Sequence, residues 1–278
     1  MDQSDRTERA PGLARQARVA GDRSRRQFRR GVYLLPSVFT LGNMFCGYAC
    51  IVYAMRADYE TAAPLLVAAF VLDALDGRIA RLMGAASPFG VEFDSLADVI
   101  SFGLAPAVLT FTWGLSSLGR LGWAAGFLFV TAGAMRLARF NIQVQADKRY
   151  FVGMPIPAAA AVPAMTVYLF PDGLTQYYFA IPALAVVIVP ALLMVSTIRY
   201  RSFKNIDLQT RRSYKVLLAL SAVLVAIATH PKLTLMVIAY TYLLSGPVEM
   251  IVARFRRRGS GPAQDALQDM VPMPEADH

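Results

Sequence analysis

Residues 71–101 of the chain read VLDALDGRIARLMGAASPFGVEFDSLADVIS, and this stretch carries four aspartates between two apolar segments. Two of them lie near the end of the first segment and two near the start of the second: Asp73, Asp76, Asp94 and Asp98. Residues three or four positions apart share one face of a helix, so each pair points to one side. Glycine, serine and proline between positions 84 and 90 allow the chain to reverse. We therefore expect the four carboxylates to meet at one point.

The composition of the whole chain indicates a membrane protein. Of its 278 residues, 56% are hydrophobic and 17% are charged, which is too apolar for an ordinary soluble domain. Most of its apolar segments approach the length of about 20 residues that a membrane-spanning helix needs. These segments lie near 32–55, 61–83, 93–114, 121–140, 156–170, 177–197, 213–229 and 232–252. We predict an all-α integral membrane protein with about eight transmembrane helices. Six or seven is the alternative, because one segment is short and the last two are closely spaced.

The distribution of positive charge predicts the orientation of these helices. Basic residues concentrate at 1–31, 148–149, 199–212 and 254–258, and an eight-helix arrangement puts all of these on one side. Because basic loops face the cytoplasm, we expect both termini and the loop between the second and third helices to be cytoplasmic. We predict a basic cytoplasmic tail at 1–31, a polytopic membrane catalytic domain at 32–252 and a disordered cytoplasmic tail at 253–278.

Several other chemistries are disfavoured by the residues present. The net charge is +9, but basic loops beside anionic lipid explain it better than nucleic acid does, so we predict no nucleic-acid partner. Cys46 and Cys50 have a spacing that suits packing inside an apolar helix. The two histidines, His230 and His278, leave no candidate for a histidine-based triad or a zinc site.

The cost of placing charge in a membrane indicates a function for the four aspartates. Each charge at membrane depth costs a few kcal/mol, and four carboxylates at one point would also repel one another unless cations neutralise them. Oxygen ligands select hard ions such as Mg²⁺, Mn²⁺ or Ca²⁺ over zinc. Two ions about 3.5–4 Å apart would hold the attacking and leaving oxygens of a phosphoryl transfer. We therefore predict a divalent metal cofactor, Mg²⁺ or Mn²⁺, with two ions bound.

The spacing of these residues resembles a known signature. Every fixed position of the signature of the CDP-alcohol phosphatidyltransferases is filled by Asp73-x2-Asp76-Gly77-x2-Ala80-Arg81-x8-Gly90-x3-Asp94-x3-Asp98. This resemblance implies a substrate with a cytidine diphosphate leaving group, a six-helix core with two further helices here, and a homodimer. It also implies that Asp73, Asp76 and Asp94 bind metal. Asp98 is then expected to be both a metal ligand and the general base.

The same resemblance implies a nucleotide site formed by Asp73, Gly77, Ala80, Arg81 and Gly90. Small residues at positions 77 and 80 would let the nucleotide approach the backbone of the helix. The planar guanidinium of Arg81 would hold its phosphates. For Arg78 we expect only an interfacial role.

Five segments outside the signature bear on the acceptor alcohol. They are similar to the bacterial phosphatidylserine synthases, a subgroup of the family: TLGNMFCG at 40–47, SFGLAPA at 101–107, RLARFN at 136–141, GMPIP at 153–157 and STIRYRSFK at 196–204. This resemblance implies transfer of the phosphatidyl group of CDP-diacylglycerol to L-serine, with phosphatidylserine and CMP as products. It also implies a bacterial inner membrane, with membrane lipids around the protein and the active site facing the cytoplasm.

Serine is a zwitterion, so its site should offer a cation for the carboxylate and an acceptor for the ammonium group. The candidates are Asn43, Arg136, Arg139 and Asn141. The two arginines equally fit anchoring at a cytoplasmic helix end. Asn43 equally fits a hydrogen bond between helices.

Two other functions are left open by the sequence. The same chemistry with glycerol phosphate or inositol phosphate would need a further basic cluster, for which Arg199, Arg201 and Lys204 are candidates. A membrane ion transporter would also place acids within the membrane. Here, however, the acids gather at one helix boundary instead of lining a path across the bilayer.

Overall fold

Helices make up nearly all of the chain that the computed structural model describes, which is residues 37–83, 88–142, 150–174, 177–201 and 213–259. Within those ranges there are eight long helices and a short 3₁₀-helix, Leu115–Leu118. The long helices are α1 (Ser37–Met55), α2 (Tyr59–Met83), α3 (Pro88–Trp113), α4 (Arg120–Ile142), α5 (Ile156–Leu169), α6 (Tyr177–Val195), α7 (Ser213–Thr229) and α8 (Pro231–Gly259). The predicted basic tail at 1–31 and the end of the predicted C-terminal tail, 260–278, lie outside the described residues.

Five of these helices are long and apolar enough to cross a membrane: α1, α3, α4, most of α6 and most of α8. The apolar helices α5 and α7 are shorter. The remaining helix, α2, has 25 residues and carries Asp73 and Asp76. The predicted class of α-helical integral membrane protein is confirmed. The number of spans and the cytoplasmic position of the termini stay predictions.

Two helix boundaries differ from those that the hydropathy pattern predicts. The third helix begins at Pro88 instead of near residue 93, because proline is tolerated in the first turn, where its missing N–H would have no partner. Asp94 and Asp98 therefore lie in the second and third turns of α3. The last helix continues to Gly259, so the arginines at 254–258 extend a helix beyond the apolar segment that ends near 252.

A short β-ribbon was not predicted from the sequence. Strand β1 (Tyr150–Val152) pairs antiparallel with β2 (Arg199–Arg201), and Phe151 lies opposite Tyr200. Gly153, which follows β1, has a φ of 80°, and its N–H donates to the carbonyl oxygen of Ile198 at 2.8 Å. A Cβ at this position would lie 2.4 Å from the carbonyl oxygen of Met194. The ribbon thus joins the chain entering α5 to the chain leaving α6, and only glycine fits its exit.

Helix α5 lies at the centre of the bundle and contacts α2, α3, α4, α6 and α8. Small residues allow this close packing, as is common where helices meet in a membrane. Gly133 of α4 is an example, since a Cβ there would lie 2.7 Å from Cδ1 of Ile156. Alanine supplies many of the other buried positions, including Ala159, Ala160 and Ala164 of α5.

A π-helical turn interrupts α3 at Val99–Leu104, directly after Asp98. Such turns inside α-helices frequently occur at functional sites. The Ser101 hydroxyl in this turn donates to the backbone carbonyl of Asn43 in α1 at 3.0 Å. The next residue, Phe102, stacks on Phe70 of α2 with ring centroids 4.9 Å apart. The π-turn therefore packs α3 against both helices that precede it.

Gly47 is required for this packing, because a Cβ there would lie 2.6 Å from Oγ and 2.7 Å from Cα of Ser101. We expect Gly47→Ala to separate α1 from the π-turn and to lower stability by about 1–3 kcal/mol. The measurement is the thermal unfolding midpoint of the purified protein in detergent.

Gly126→Ala in α4 is the matched control, because its added Cβ would meet nothing closer than 3.9 Å. Alanine favours a helix over glycine by about 1 kcal/mol, so this variant should be as stable as the parent or more stable. Equal losses of thermal stability in Gly47→Ala and Gly126→Ala would contradict the close approach of α1 and α3.

Candidate active site

Three carboxylates from two helices form the centre of the site. Asp73 comes from α2, and Asp94 and Asp98 come from successive turns of α3. Each offers an oxygen atom that lies within 4.8 Å of the oxygens of the other two. Asp73 and Asp94 are partly buried, and Asp98 is only 8% exposed. Carboxylates held this close repel one another, and a cation between them would offset that repulsion. Oxygen ligands such as these suit a hard divalent ion.

Asp76 adjoins this group without belonging to it. Its carboxylate interacts electrostatically with Asp73 and Asp94, but one of its oxygens, Oδ2, accepts a hydrogen bond from the Thr40 hydroxyl of α1. Both side chains of this pair are buried. The structure therefore brings together three of the four predicted metal ligands and places the fourth beside them, tied to another helix.

Thr40 is a site residue that the spacing signature does not include. The signal that could have found it is helical spacing. Thr40, Asn43 and Gly47 recur at intervals of three and four residues, so they share one face of α1. All three are buried, and a buried polar face on a membrane helix needs polar partners.

Asn43 and Arg136 adjoin Asp98 on the side of the site formed by α1 and α4. Asn43 is fully buried and its carboxamide lies next to the Asp98 carboxylate, while the Arg136 guanidinium interacts electrostatically with the same group. Four buried atoms here have no hydrogen-bond partner among the described residues: Nδ2 and Oδ1 of Asn43, Oδ1 of Asp98 and Nε of Arg136. An unpartnered buried polar group costs about 1–3 kcal/mol, so this side of the site is arranged to receive a polar ligand.

The other two predicted serine ligands lie outside this buried region. Arg139, one turn beyond Arg136 on α4, is exposed. Asn141 is also exposed, and its Nδ2 donates to the Ser95 hydroxyl at 3.1 Å. Asn141 thereby connects the end of α4 to the residue of α3 that follows Asp94. Of Arg136, Arg139 and Asn141, only Arg136 lies near the carboxylate cluster.

The predicted nucleotide positions lie along α2 and at the start of α3. A Cβ added to Gly77 would meet nothing within 4 Å, so packing within the protein does not require glycine here. An open approach to the backbone is what a ligand lying against α2 would need. Gly90 is partly buried in the first turn of α3. The side chains of Ala80 and Arg81 lie outside the described part of the chain.

A separate apolar cavity of about 420 Å³ lies between α2, α5 and α8. Arg78 alone is charged among the described residues that line it. Arg78 follows Asp73 by five positions, which is about 140° around the helix, so this cavity faces away from the carboxylates. Its lining suits hydrocarbon, and it is not part of the site of the three acids.

Comparison with known proteins gives consistent matches. The family model described as CDP-alcohol phosphatidyltransferase matches residues 33–198. The CDP-diacylglycerol–serine O-phosphatidyltransferase of Helicobacter pylori (strain J99) is 41% identical over 226 residues, which cover 79% of this chain and 92% of that protein. The protein of the same name from Mycobacterium leprae is 43% identical over 145 residues, or 49% of this chain and 48% of that protein. The archaetidylserine synthase of Methanothermobacter thermautotrophicus is 36% identical over 168 residues, or 60% of this chain and 69% of that protein.

The matched range covers more than half of the chain and contains both carboxylate-bearing helices, the polar face of α1 and Arg136. Three of the four acids in the spacing signature are the acids that the fold brings together. The chain therefore belongs to the CDP-alcohol phosphatidyltransferase family.

Proposed function

We propose that this protein transfers the phosphatidyl group of CDP-diacylglycerol to the hydroxyl of L-serine, giving phosphatidylserine and CMP. The observation that carries this proposal is the position of Asn43 and Arg136, two residues with buried, unpartnered polar atoms, beside Asp98 in the carboxylate cluster. The names of the relatives support it, since the bacterial and the archaeal proteins are both named for transfer to serine or for a serine lipid.

In this reaction the serine hydroxyl oxygen forms a bond to the lipid-linked phosphorus, and the bond from that phosphorus to the oxygen of CMP breaks. Asp98 accepts the proton of the serine hydroxyl, as a carboxylate placed against the acceptor can do. A divalent cation held by Asp73, Asp94 and Asp98 would offset the charge that develops on the pyrophosphate oxygens. We infer Mg²⁺ or Mn²⁺, with two ions and with Asp76 as a further ligand.

The acceptor contacts follow from the charges on serine. The Arg136 guanidinium is a planar fork that matches a carboxylate, so it would bind the carboxylate of serine. This binding would also offset the positive charge beside Asp98, which favours proton transfer to Asp98. The carboxamide oxygen of Asn43 would accept a hydrogen bond from the ammonium group. We place the exposed Arg139 and Asn141 at the cytoplasmic rim of the site.

The proposal also covers the nucleotide, the lipid tails and the assembly of the protein. The cytidine diphosphate lies along α2, near Asp73, Gly77, Ala80 and Arg81, and reaches Gly90. The lipid tails stay in the hydrocarbon of a bacterial inner membrane, and the site opens to the cytoplasm. The protein works as a homodimer.

The experiment that tests the function measures CMP release by the purified protein in liposomes with CDP-diacylglycerol and Mg²⁺ or Mn²⁺. Serine, glycerol phosphate and inositol phosphate are supplied in turn. We expect CMP release with serine, and we expect chelation of the metal to abolish this release. Release with another acceptor but not with serine would refute the acceptor, and no release with any of them would refute the enzyme.

For the general base, we expect Asp98→Asn to lower kcat by about 100-fold or more, because an amide cannot accept the proton. Glu92→Gln is the matched control, since Glu92 is an exposed acid on the same helix. Near-normal turnover by a folded Asp98→Asn protein would remove Asp98 from this role.

For the ligand shell, we expect Thr40→Val to raise the metal concentration needed for half-maximal activity by about 10–100-fold, the usual effect of losing a group that orients a metal ligand. Valine keeps the shape of threonine but cannot donate to Asp76. Thr40→Ser keeps the hydroxyl and should restore the metal requirement. A metal titration of CMP release distinguishes them, and equal behaviour of the two variants would exclude the orienting role.

For the acceptor site, we expect Arg136→Ala to raise the KM for serine by about 10–100-fold, the factor for losing a hydrogen bond between charged groups. The KM for CDP-diacylglycerol should change little. Arg120→Ala removes an exposed arginine from the start of the same helix and should leave both constants near those of the parent. Equal effects of Arg136→Ala on both substrates would indicate membrane anchoring instead.

A further inference from the structure

The first part of α3, residues 88–96, is less tightly packed than the rest of that helix. Its apolar side chains are largely free of neighbours, since Phe89 is 73% exposed and Leu96 is 64% exposed. From Ala97 to the end of α3 most side chains are buried. The carboxylate cluster crosses this boundary, because Asp94 lies in the less packed part and Asp98 in the packed part.

The position of Asp94 therefore needs support from outside its own helix. Helix ends fray because their first N–H groups have no partner within the helix, and Asp94 lies only in the second turn of α3. A cation shared by Asp73, Asp94 and Asp98 needs all three oxygens to stay at ligand distance. A polar contact between this turn and a well-packed helix would keep Asp94 in place.

Asn141, in the last turn of α4, makes such a contact. Its Nδ2 donates to the Ser95 hydroxyl oxygen at 3.1 Å, and the same hydroxyl donates to the backbone carbonyl of Val91 at 3.0 Å. Because the hydroxyl donates to Val91, its oxygen is free to accept from the carboxamide. The two bonds form one chain from α4 to the main chain of α3, and bonds in such a chain strengthen one another.

The turn of α3 that this chain of bonds holds is the turn that contains Asp94. Val91 and Ser95 are four positions apart, so they enclose one helical turn, and Asp94 directly precedes Ser95. The bond from Asn141 thus reaches α3 one residue from a carboxylate of the cluster. It fixes the whole turn, because Ser95 is bonded to the backbone at the start of that turn.

Helix α4 is a suitable anchor for this turn. It is packed into the bundle through buried residues along most of its length, and it contacts the π-turn that follows Asp98. Helix α4 therefore meets α3 on both sides of Asp98, at the π-turn through packing and at Ser95 through the bond from Asn141.

We propose that Asn141 is a positioning residue for the metal site, which acts through Ser95 to hold the turn of α3 that bears Asp94. This inference rests on the proposed function, which places a divalent cation between Asp73, Asp94 and Asp98. It gives Asn141 an indirect role through a metal ligand, in contrast to the direct contact with serine that the family resemblance implies.

The test measures Mn²⁺ binding to the purified full-length protein in detergent, by electron paramagnetic resonance of the free ion, without substrates. We expect Asn141→Ala and Ser95→Ala each to raise the Kd for Mn²⁺ by about 5-fold, the effect of losing one hydrogen bond. Because both changes break the same bond, the double variant should also show a rise of about 5-fold and not the product of two such effects. Ser95→Thr keeps the hydroxyl and should bind Mn²⁺ as the parent does.

Ser245→Ala in α8 is the matched control. Ser245 is also exposed, and its hydroxyl donates to a carbonyl of its own helix, that of Tyr242, at 2.7 Å. Among the described residues this hydroxyl has no hydrogen bond to another helix. The control therefore removes a serine hydroxyl and its bond within a helix, and it should leave the Kd for Mn²⁺ unchanged.

An unchanged Kd for Mn²⁺ in folded Asn141→Ala would overturn the proposal, and a higher KM for serine in that variant would then assign Asn141 to the acceptor. Effects that multiply in the double variant, or an equal rise in Ser245→Ala, would also overturn it. If Asn141→Ala cannot be obtained folded, equal binding by Ser95→Ala and Ser95→Thr would do so. The proposed function fails separately, through an unsubstituted protein that binds no Mn²⁺ or releases no CMP with serine.

Discussion

The repulsion among buried carboxylates is the constraint on which the site depends. Asp73, Asp94 and Asp98 approach within 4.8 Å on two helices of a membrane protein, and a cation between them would offset the mutual repulsion of their charges. The helices around this cluster must therefore resist the tendency of the three acids to separate.

Close packing between the helices, instead of long hydrophobic side chains, holds the helices that carry the acids together. Gly47 lets α1 approach the π-turn after Asp98, and Phe102 stacks on Phe70 of α2. In a bilayer the lipid is as apolar as leucine, so helices associate through close contacts and polar bonds between them. The π-turn that places Ser101 against α1 directly follows Asp98, so packing and chemistry depend on neighbouring residues of α3.

The two sides of the site differ in how their polar groups are satisfied. On the side of Asp76, a hydrogen bond from Thr40 ties a carboxylate to α1 within the protein. On the side of Asp98, four buried polar atoms of Asn43, Asp98 and Arg136 lack such bonds among the described residues. Polar groups whose hydrogen bonds are made within the protein suit a rigid set of metal ligands. Polar groups without such bonds suit the binding and release of a polar substrate.

The sequence alone determined the helical membrane class, the positions of the helices to within a few residues, and the two pairs of acids with their family. Each of these depends on local hydropathy or on fixed spacing, which the chain carries without folding. Only the tertiary structure separated Asp76 from the other three acids, distinguished the partly buried Arg136 from the exposed Arg139, and paired β1 with β2. The physical reason is that helical spacing tells which residues share a face, whereas contacts between distant helices decide what that face meets.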